Sequence, residues 1–498
     1  MFKKILIVNR GEIAVRIIRA CKEMGIKSAI IFSDADKNSF HTRMADEAYY
    51  AGTSIASESY LNIPKILEIA KTISADAIHP GYGFLSENAS FIKQVENSGI
   101  IFIGPTAQSV ELMGEKTAAR TIMQKHGVPI VPGTVEPLTT LESVKKVCAE
   151  IGFPVMLKAS AGGGGKGMRK IEDDSQIESA YQRTKSEAAK AFGNDAVYIE
   201  KFIVNPKHIE VQILGDQHGS YRHLFERECS IQRRHQKIIE EAPSISVDAE
   251  TRKKLTDAAV NATSAVEYVG AGTIEFLMDE EKNVYFLEMN TRLQVEHPVT
   301  ELITGIDLVK EQINIAYGKS ISFAQSDLKI NGHAIECRVY AEDSKNNFAP
   351  STGKINYFKL PAGPGIRVDS GIDEFSEVSI YYDPMLAKVI TYAGNRKDNI
   401  QRMIRALNEF KILGVKTNIE LLKWVLNNNK FIDGTFNIDF IENEFLPLLP
   451  DKWQTEIPEI IQDGASLIAS ILKQKENQLK VNSNLILETN EWGKSFYE

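Results

Sequence analysis

Residues 288–301 read Glu288-Met289-Asn290-Thr291-Arg292-Leu293-Gln294-Val295-Glu296-His297-Pro298-Val299-Thr300-Glu301. On an extended backbone, side chains alternate between two faces. One face then carries Glu288, Asn290, Arg292, Gln294 and Glu296, and the other Met289, Thr291, Leu293 and Val295. A polar row of acid, amide and cation backed by a mostly apolar row suits a floor beneath a small anion or a metal ion. The competing reading is an edge strand with its charges in water. The approach, Val284-Tyr285-Phe286-Leu287, is too apolar for an edge and favours the first reading.

Working outward, Thr273–Met278 and Val284–Glu288 are expected to form an antiparallel pair. A four-residue loop, Glu280–Asn283, places Asp279 opposite Val284 and Glu275 opposite Glu288. Opposed Cβ atoms lie about 5 Å apart. Two carboxylates that close repel unless a cation lies between them. Magnesium takes a few carboxylate oxygens together with substrate phosphates, so Glu275, Glu288 and Asn290 form a candidate metal site. A register slipped by one residue would instead leave both acids in solvent.

Further upstream, Phe153–Ala159 is an apolar strand carrying Lys158, followed by a loop with four consecutive glycines, Gly162–Gly165, and then Lys166-Gly167. Such a loop exposes backbone N–H groups that can cradle phosphate. It lacks the G-x-x-x-x-G-K-[ST] pattern, so it is not a Walker loop. Glycines alone would often be a flexible turn, but a lysine on a buried strand needs a partner, and phosphate suits it. The segment Glu226–Lys237 is rich in cations. A charge run is usually a solvated face; this one is short, includes Gln232 and His235, and suits phosphate or bicarbonate.

At 498 residues the chain is too long for one core and implies three or four domains. Lys3–Val8, Ala29–Ser33, Ala75–His79 and Ile100–Ile103 read as strands separated by helices, the first helix being Glu12–Met24 with Gly25 as its cap. That alternation implies a parallel, doubly wound sheet. The first turn, Asn9-Arg10-Gly11-Glu12, is not G-x-G-x-x-G and gives no dinucleotide site. The loop Gly81–Glu87 fits either a turn needing two permissive glycines or a ligand element. A second domain begins near Gly114 and a third near Asn331, whose helix Lys397–Phe410 ends near Gly414. Toward the end, Ile457–Leu479 suits a helix, and 480–498 is polar and weakly patterned.

Composition excludes several classes. With 58 Lys and Arg against 66 acids, the net charge of −8 argues against nucleic-acid or polybasic membrane partners. No apolar stretch is long enough to span a bilayer, and Ile5–Val8 is too short for a signal core. The four cysteines are far apart and make no C-x-x-C, so reduced thiols in a cytoplasmic protein are expected.

Two segments, Phe153-Pro-Val-Met-Leu-Lys-Ala-Ser-Ala-Gly-Gly-Gly-Gly-Lys-Gly167 and Phe286-Leu-Glu-Met-Asn-Thr-Arg-Leu293, resemble the signatures of carbamoyl-phosphate-synthetase-like ATP-grasp enzymes. Asn9–Ala14, His79–Glu87, Gln232–Lys237 and Arg292–Pro298 narrow the resemblance to biotin carboxylase, in register up to about Leu446. The implied fold has an N-terminal Rossmann-like (pre-ATP-grasp) domain at 1–113. An ATP-grasp domain follows at 114–330, with a glycine-rich lid over about 131–203. A C-terminal biotin carboxylase domain spans 331–446, and an extension outside the resemblance spans 447–498. The implied reaction is ATP- and bicarbonate-dependent carboxylation of biotin at N1′ through carboxyphosphate, inside a site closed against water.

The resemblance also carries roles, position by position. Lys116, Lys158, the backbone of Gly164 and Gly165, His208, His235 and the segment Glu200-Lys201-Phe202-Ile203 match ATP contacts. Glu275, Glu288 and Asn290 match ligands of magnesium or manganese. Lys237, Arg292 and the backbone of Val295 match bicarbonate contacts. Glu296 matches the base, and Arg338 the cation that stabilises the biotin enolate, where negative charge develops. Ala161 stands where some members carry another glycine. No Ala-Met-Lys-Met biotin-attachment sequence occurs. The resemblance therefore implies a subunit that works in trans on a biotin carboxyl carrier protein, with separate carboxyltransferase subunits. Arg16, Arg19 and Glu23 form a charged helix face that in the family helps build a homodimer, and that from sequence reads equally as solvated charge. The acceptor is expected to be acetyl-CoA or propionyl-CoA, with pyruvate as the alternative. A ligase joining a carboxylate to an amine and a non-catalytic nucleotide-binding regulator are more distant readings.

Overall fold

Short apolar runs separated by amphipathic helices build the first layer. β1 (Lys4–Ile7), β2 (Lys27–Ser33), β3 (Glu47–Gly52), β4 (Ala77–His79) and β5 (Ile101–Phe102) form a parallel sheet in the order β3-β2-β1-β4-β5. Alternate residues of β1 pack into different cores: Ile5 and Ile7 join Ile13 and Ile17 of the helix Gly11–Glu23, while Leu6 joins Ile66 and Phe91 on the other face. This is the doubly wound arrangement expected from the alternation. The computed structural model describes residues 1–134, 136–159, 168–192 and 197–449. Met1–Pro447 make one compact unit. The helix expected over 457–479, and the rest of 450–498, lie outside the described residues.

Ligands of doubly wound sheets bind beyond the strand ends at the point where strand order reverses. Here β1 and β4 flank that point. Asn9, just after β1, donates from Nδ2 to the carbonyls of Pro80 and Tyr82 at 2.6 and 2.7 Å. Gly81 and Gly83 have φ of +63° and +70°, so the loop after β4 does need permissive glycines. Its function lies in what it delivers, Glu87.

A small antiparallel sheet follows, with β6 (Val155–Ala159) between β7 (Met168–Ile171) and β8 (Val197–Lys201). The largest sheet contains β9 (Lys207–Gly215), β10 (Tyr221–Arg233), β11 (Gln236–Ala242), β12 (Gly270–Met278), β13 (Val284–Asn290) and β14 (His333–Tyr340). Its order is β13-β12-β9-β10-β11-β14, continued by the strands Met385–Ala393 and Ile366–Ser370. Pairing of β11 with β14, with Ile239 opposite Cys337, carries the sheet unbroken past Asn331. After β14, the helix Arg396–Glu409 is separated from Gly414 by a three-residue strand, Lys411–Leu413.

Three readings of the opening stretch are corrected here. First, β13 is an edge strand. Its apolar side chains fit an edge because the edge is covered: the Phe286 N–H donates to the Pro129 carbonyl at 2.7 Å, and Phe286 and Met289 pack in a buried core. Second, the strand stops at Asn290. The Thr291 N–H donates to the Glu87 carboxylate at 3.0 Å instead of continuing the ladder. Residues 291–296 form a loop, and Glu296 takes the position just before the helix His297–Thr304, which has Pro298 in its first turn. Third, the hairpin loop is longer than four residues, since Met278 rather than Asp279 faces Val284. A β-bulge between the Phe276–Phe286 and Glu275–Glu288 pairs absorbs Leu287, and Glu275 still faces Glu288.

Candidate functional site

Four adjacent strands lay one row of charged residues across the large sheet. Glu288 of β13 pairs with Glu275 of β12, Glu275 with Glu210 of β9, and Glu210 with Arg227 of β10. Glu210 and Arg227 are fully buried. Arg227 spends every donor inside the protein. Its Nε bonds Glu210, Nη1 bonds Gln212 at 2.7 Å and Thr300 at 2.9 Å, and Nη2 bonds Gln294 at 2.7 Å and Thr273 at 3.1 Å. A guanidinium so satisfied has nothing left for an anion. It anchors the loop that carries Gln294 and so the path to Glu296.

Lys237, at the start of β11, brings a second cation to the row. Its ammonium bonds Glu210, Glu275 at 2.7 Å and Glu296 at 2.8 Å. Burial would drive off its proton, but these three carboxylates hold Lys237 well above the usual lysine range. The second oxygen of Glu296 accepts from Arg338 Nη2 at 2.9 Å. Burial would raise Glu296, yet Lys237, Arg338 and Arg227 hold it well below the usual carboxylate range. Glu296 is therefore an ionised carboxylate gripped by two cations. Arg338 also meets Glu240 at 2.6 Å. Burial, opposed by Arg338, pushes Glu240 up to about 7.

His208, Glu210 and Glu275 bring their ligand atoms within 4.8 Å of one another. An ammonium already sits among the two acids, so this grouping is an ion-pair cluster rather than a metal cage. The expected metal ligands fit a divalent cation better. Glu275 and Glu288 are opposed, and Asn290 lies two residues further along the same face, a set of oxygen donors suited to magnesium. Asn290 Oδ1 accepts from Arg292 at 2.8 Å, while its buried Nδ2 has no partner among the described residues. Arg292 also donates from Nε to Glu87 at 2.8 Å. Glu87 thereby ties the N-terminal sheet to the loop after β13.

The expected nucleotide contacts are more scattered. Lys158 pairs with Glu200, which also holds Arg120 at 2.5 Å. Lys201 donates to the carbonyls of Gly152 and Phe153, both at 3.0 Å. Phe202 and Ile203 follow β8, with Lys170 over the Phe202 ring at 4.4 Å. His208 reaches Glu275 at 3.1 Å and joins the central cluster. His235 stands exposed in the turn between β10 and β11. Lys116 begins the helix Lys116–Lys125, while Gly164 and Gly165 lie outside the described residues. Val295 presents its carbonyl to Lys388 at 2.7 Å. Arg292 thus bonds both Asn290 and Glu87, while Lys237, Glu275, Glu296 and Arg338 are gathered into one bonded network.

Sequence reading missed Glu210, Arg227 and Glu240 as members of this network. The signal for the first was present: His208-Ile209-Glu210-Val211-Gln212 alternates polar and apolar as the 288–296 stretch does. Arg227 was grouped with anion-binding cations, a reading its five internal bonds overturn. The charged helix face is also not simply solvated, since Arg16 is buried and bonds Glu301 at 2.9 Å and Asp307 at 2.6 Å.

Comparison with known proteins gives a family. "Biotin carboxylase, N-terminal domain" matches residues 1–110. "Carbamoyl-phosphate synthase L chain, ATP binding domain" matches 115–323, and "Biotin carboxylase C-terminal domain" matches 336–443. Biotin carboxylase 2 of Bacillus subtilis is 51% identical over 442 residues, covering 89% of this chain and 99% of that protein. A pyruvate carboxylase subunit of Methanothermobacter thermautotrophicus is 50% identical over 442 residues, covering 89% and 90%. The mitochondrial propionyl-CoA carboxylase alpha chain of Sus scrofa is 48% identical over 493 residues, covering 97% of this chain and 67% of that protein. That last match runs past residue 446, where the sequence resemblance was expected to stop. The biotin carboxylase domain dimer of Hydrogenobacter thermophilus 2-oxoglutarate carboxylase, solved with MgADP, ADP and bicarbonate, superposes with a TM-score of 0.82 at 48% identity, covering 89% of this chain and 97% of that one. The chain belongs to the biotin carboxylase family of ATP-dependent ligases.

Proposed function

We propose that this chain carboxylates biotin at N1′, on a separate biotin carboxyl carrier protein, using ATP and bicarbonate. The observation that carries this reading is the ionised Glu296 between Lys237 and Arg338. A general base must be deprotonated and within reach of the proton it takes. Bicarbonate beside Lys237 and Arg292 competes with Glu296 for the Lys237 ammonium. As Lys237 turns to the anion, Glu296 loses a stabilising charge and becomes a better base. Arg338, freed from Glu296 as that proton arrives, is the donor for negative charge on the ureido oxygen of biotin.

Lys116, Lys158, His208, His235, the Gly164–Gly165 backbone and residues 200–203 are assigned to ATP. Glu275, Glu288 and Asn290 would hold magnesium or manganese, which when bound neutralises phosphate charge. Purified protein is expected to cleave ATP only with bicarbonate present, and faster with free biotin. ATP cleavage indifferent to bicarbonate would overturn the reading.

We assign the chain to an acyl-CoA carboxylase, supported by the propionyl-CoA carboxylase alpha match that continues past residue 446. Acetyl-CoA and propionyl-CoA are the acceptors to compare. A pyruvate carboxylase is the second reading, supported by the Methanothermobacter relative. Assay with each carboxyltransferase partner decides between them. The groove of about 360 Å³ lined by Arg16, Arg19, Glu23, Asp307 and Arg367 is assigned to a homodimer contact. A cytoplasmic location agrees with four free, buried cysteines. Among the described residues, no helix is long and apolar enough to cross a membrane.

A further inference from the structure

We propose that Lys388 is a positioning residue for carboxylation: its single hydrogen bond to the Val295 carbonyl fixes the backbone from which Glu296 works. The proposal rests on the assignment of Glu296 as base.

Lys388 lies on the strand Met385–Ala393 and is 0% exposed. A lysine without water needs compensation for the hydration it gives up. Its ammonium donates to the Val295 carbonyl at 2.7 Å. The nearest carboxylates are more distant, Glu12 at 3.3 Å and Asp369 at 3.9 Å. Asp369 is already held by Arg367 through two bonds of 3.0 and 2.8 Å. Glu12 accepts no hydrogen bond at either oxygen, and burial pushes it up to about 7 against the pull of Lys388. Glu12 can therefore take a proton when the ammonium is absent, and an apolar side chain at 388 would satisfy the packing. What specifically needs a donor here is the Val295 carbonyl.

The register explains why that carbonyl matters. Arg338 and Lys388 are cross-strand partners, and Lys388 pairs in turn with Asp369. One rung of the sheet thus supplies two bonds to consecutive residues. Arg338 holds the Glu296 side chain at 2.9 Å, and Lys388 holds the Val295 backbone at 2.7 Å. The Val295 carbonyl belongs to the planar peptide unit that ends at the Glu296 Cα. Fixing that plane fixes the origin of the Glu296 side chain just before its helix begins. With it released, Glu296 would keep Arg338 but lose its set distance from bicarbonate, and a displacement of about 1 Å is enough to slow chemistry.

The test uses the full chain with free biotin, in three forms: unaltered, Lys388→Met, and Lys388→Met with Glu12→Gln. Unaltered protein must first show bicarbonate-dependent ATP cleavage; if it does not, the functional assignment fails and the Lys388 proposal with it, whatever the variants do. Given that activity, Lys388→Met is expected to lower kcat/KM for bicarbonate roughly 10- to 100-fold while ADP affinity stays unchanged. The double variant removes the uncompensated acid as well. It is expected to regain the melting temperature but not the bicarbonate turnover. Recovery of turnover together with stability would show that Lys388 merely balances charge, and would overturn the proposal. Unchanged bicarbonate kinetics in either folded variant would do the same. If Lys388→Met alone fails to fold, the double variant decides the question.

Discussion

At the scale of single residues, the site is a matter of who shares which charge. Glu296→Gln removes the carboxylate charge whose two oxygens accept from Lys237 and Arg338. Biotin carboxylation is expected to fall by about 10²- to 10⁴-fold, the usual contribution of a general base, with ATP binding retained in a nucleotide titration. An unchanged rate would remove Glu296 from that role. Arg227→Lys keeps the charge but cannot reproduce a five-donor fork. It should leave buried acceptors on Glu210, Gln212 and Gln294 unpaired and cost about 3–5 kcal/mol, read from the denaturant midpoint. The shared face of Glu288 and Asn290 was legible in the sequence, because alternation along a strand is a local property. Arg227 was not, because its burial depends on β9, β12 and the helix His297–Thr304 meeting over it. The same holds for Glu87, whose role appears only where the loop after β4 reaches Thr291 and Arg292.

At the scale of elements, β11 shows how buried pairs fasten helices to the sheet. Glu241 receives Arg396 through bonds of 2.6 and 3.1 Å and faces His333 at 3.2 Å. Arg396 begins the helix Arg396–Glu409. Burial would raise Glu241, but Arg396 and His333 lower it to about 2. A carboxyl lowered on folding stabilises above its unfolded value and loses that contribution as pH falls through its folded one. Wild-type stability should therefore decline between about pH 4.5 and 2, in part through Glu241. Glu241→Gln should flatten that part of the decline in pH-dependent unfolding, and an unaltered slope would reject the assignment. The β12–β13 hairpin teaches a different lesson about legibility. Opposition of Glu275 and Glu288 was deduced from a loop one residue too short and a ladder without a bulge, and the two errors cancel. Loop length and bulges depend on packing, which alternation does not report. The polar row was likewise read as one strand through Glu296, whereas its second half is a loop whose polar groups are buried by partners rather than by alternation.

At the scale of the whole molecule, the expected boundary near Asn331 falls within a continuous structure, because β14 extends the sheet that begins at β13. Arg338 and Glu296, 42 positions apart in sequence, meet only through that continuity. The sequence could separate the three family segments by their motifs, but it could not show that one sheet joins two of them. Met1–Pro447 form a unit of their own. A chain cut after Pro447 is expected to fold and to carboxylate free biotin as the full chain does, while assembling less well with partner subunits. Loss of free-biotin activity on truncation, or undiminished assembly in a pull-down, would each contradict that division of labour.

The bulge at Leu287 acts on β13 as an inserted beat acts on a rhythm: everything after it is shifted by half a period. Deleting Leu287 would make the ladder regular, with Glu288 still opposite Glu275 and Met289 and Asn290 on their present sides. Deleting Met289 instead would turn the Asn290 amide toward the core face that Met289 now occupies. A change of length in the 279–283 loop carries no such inversion. Single-residue changes of length in that loop, and deletion of Leu287, should therefore be tolerated, whereas deletion of Met289 should abolish metal-dependent nucleotide binding, a contrast visible in a deletion scan read by ADP titration with and without magnesium.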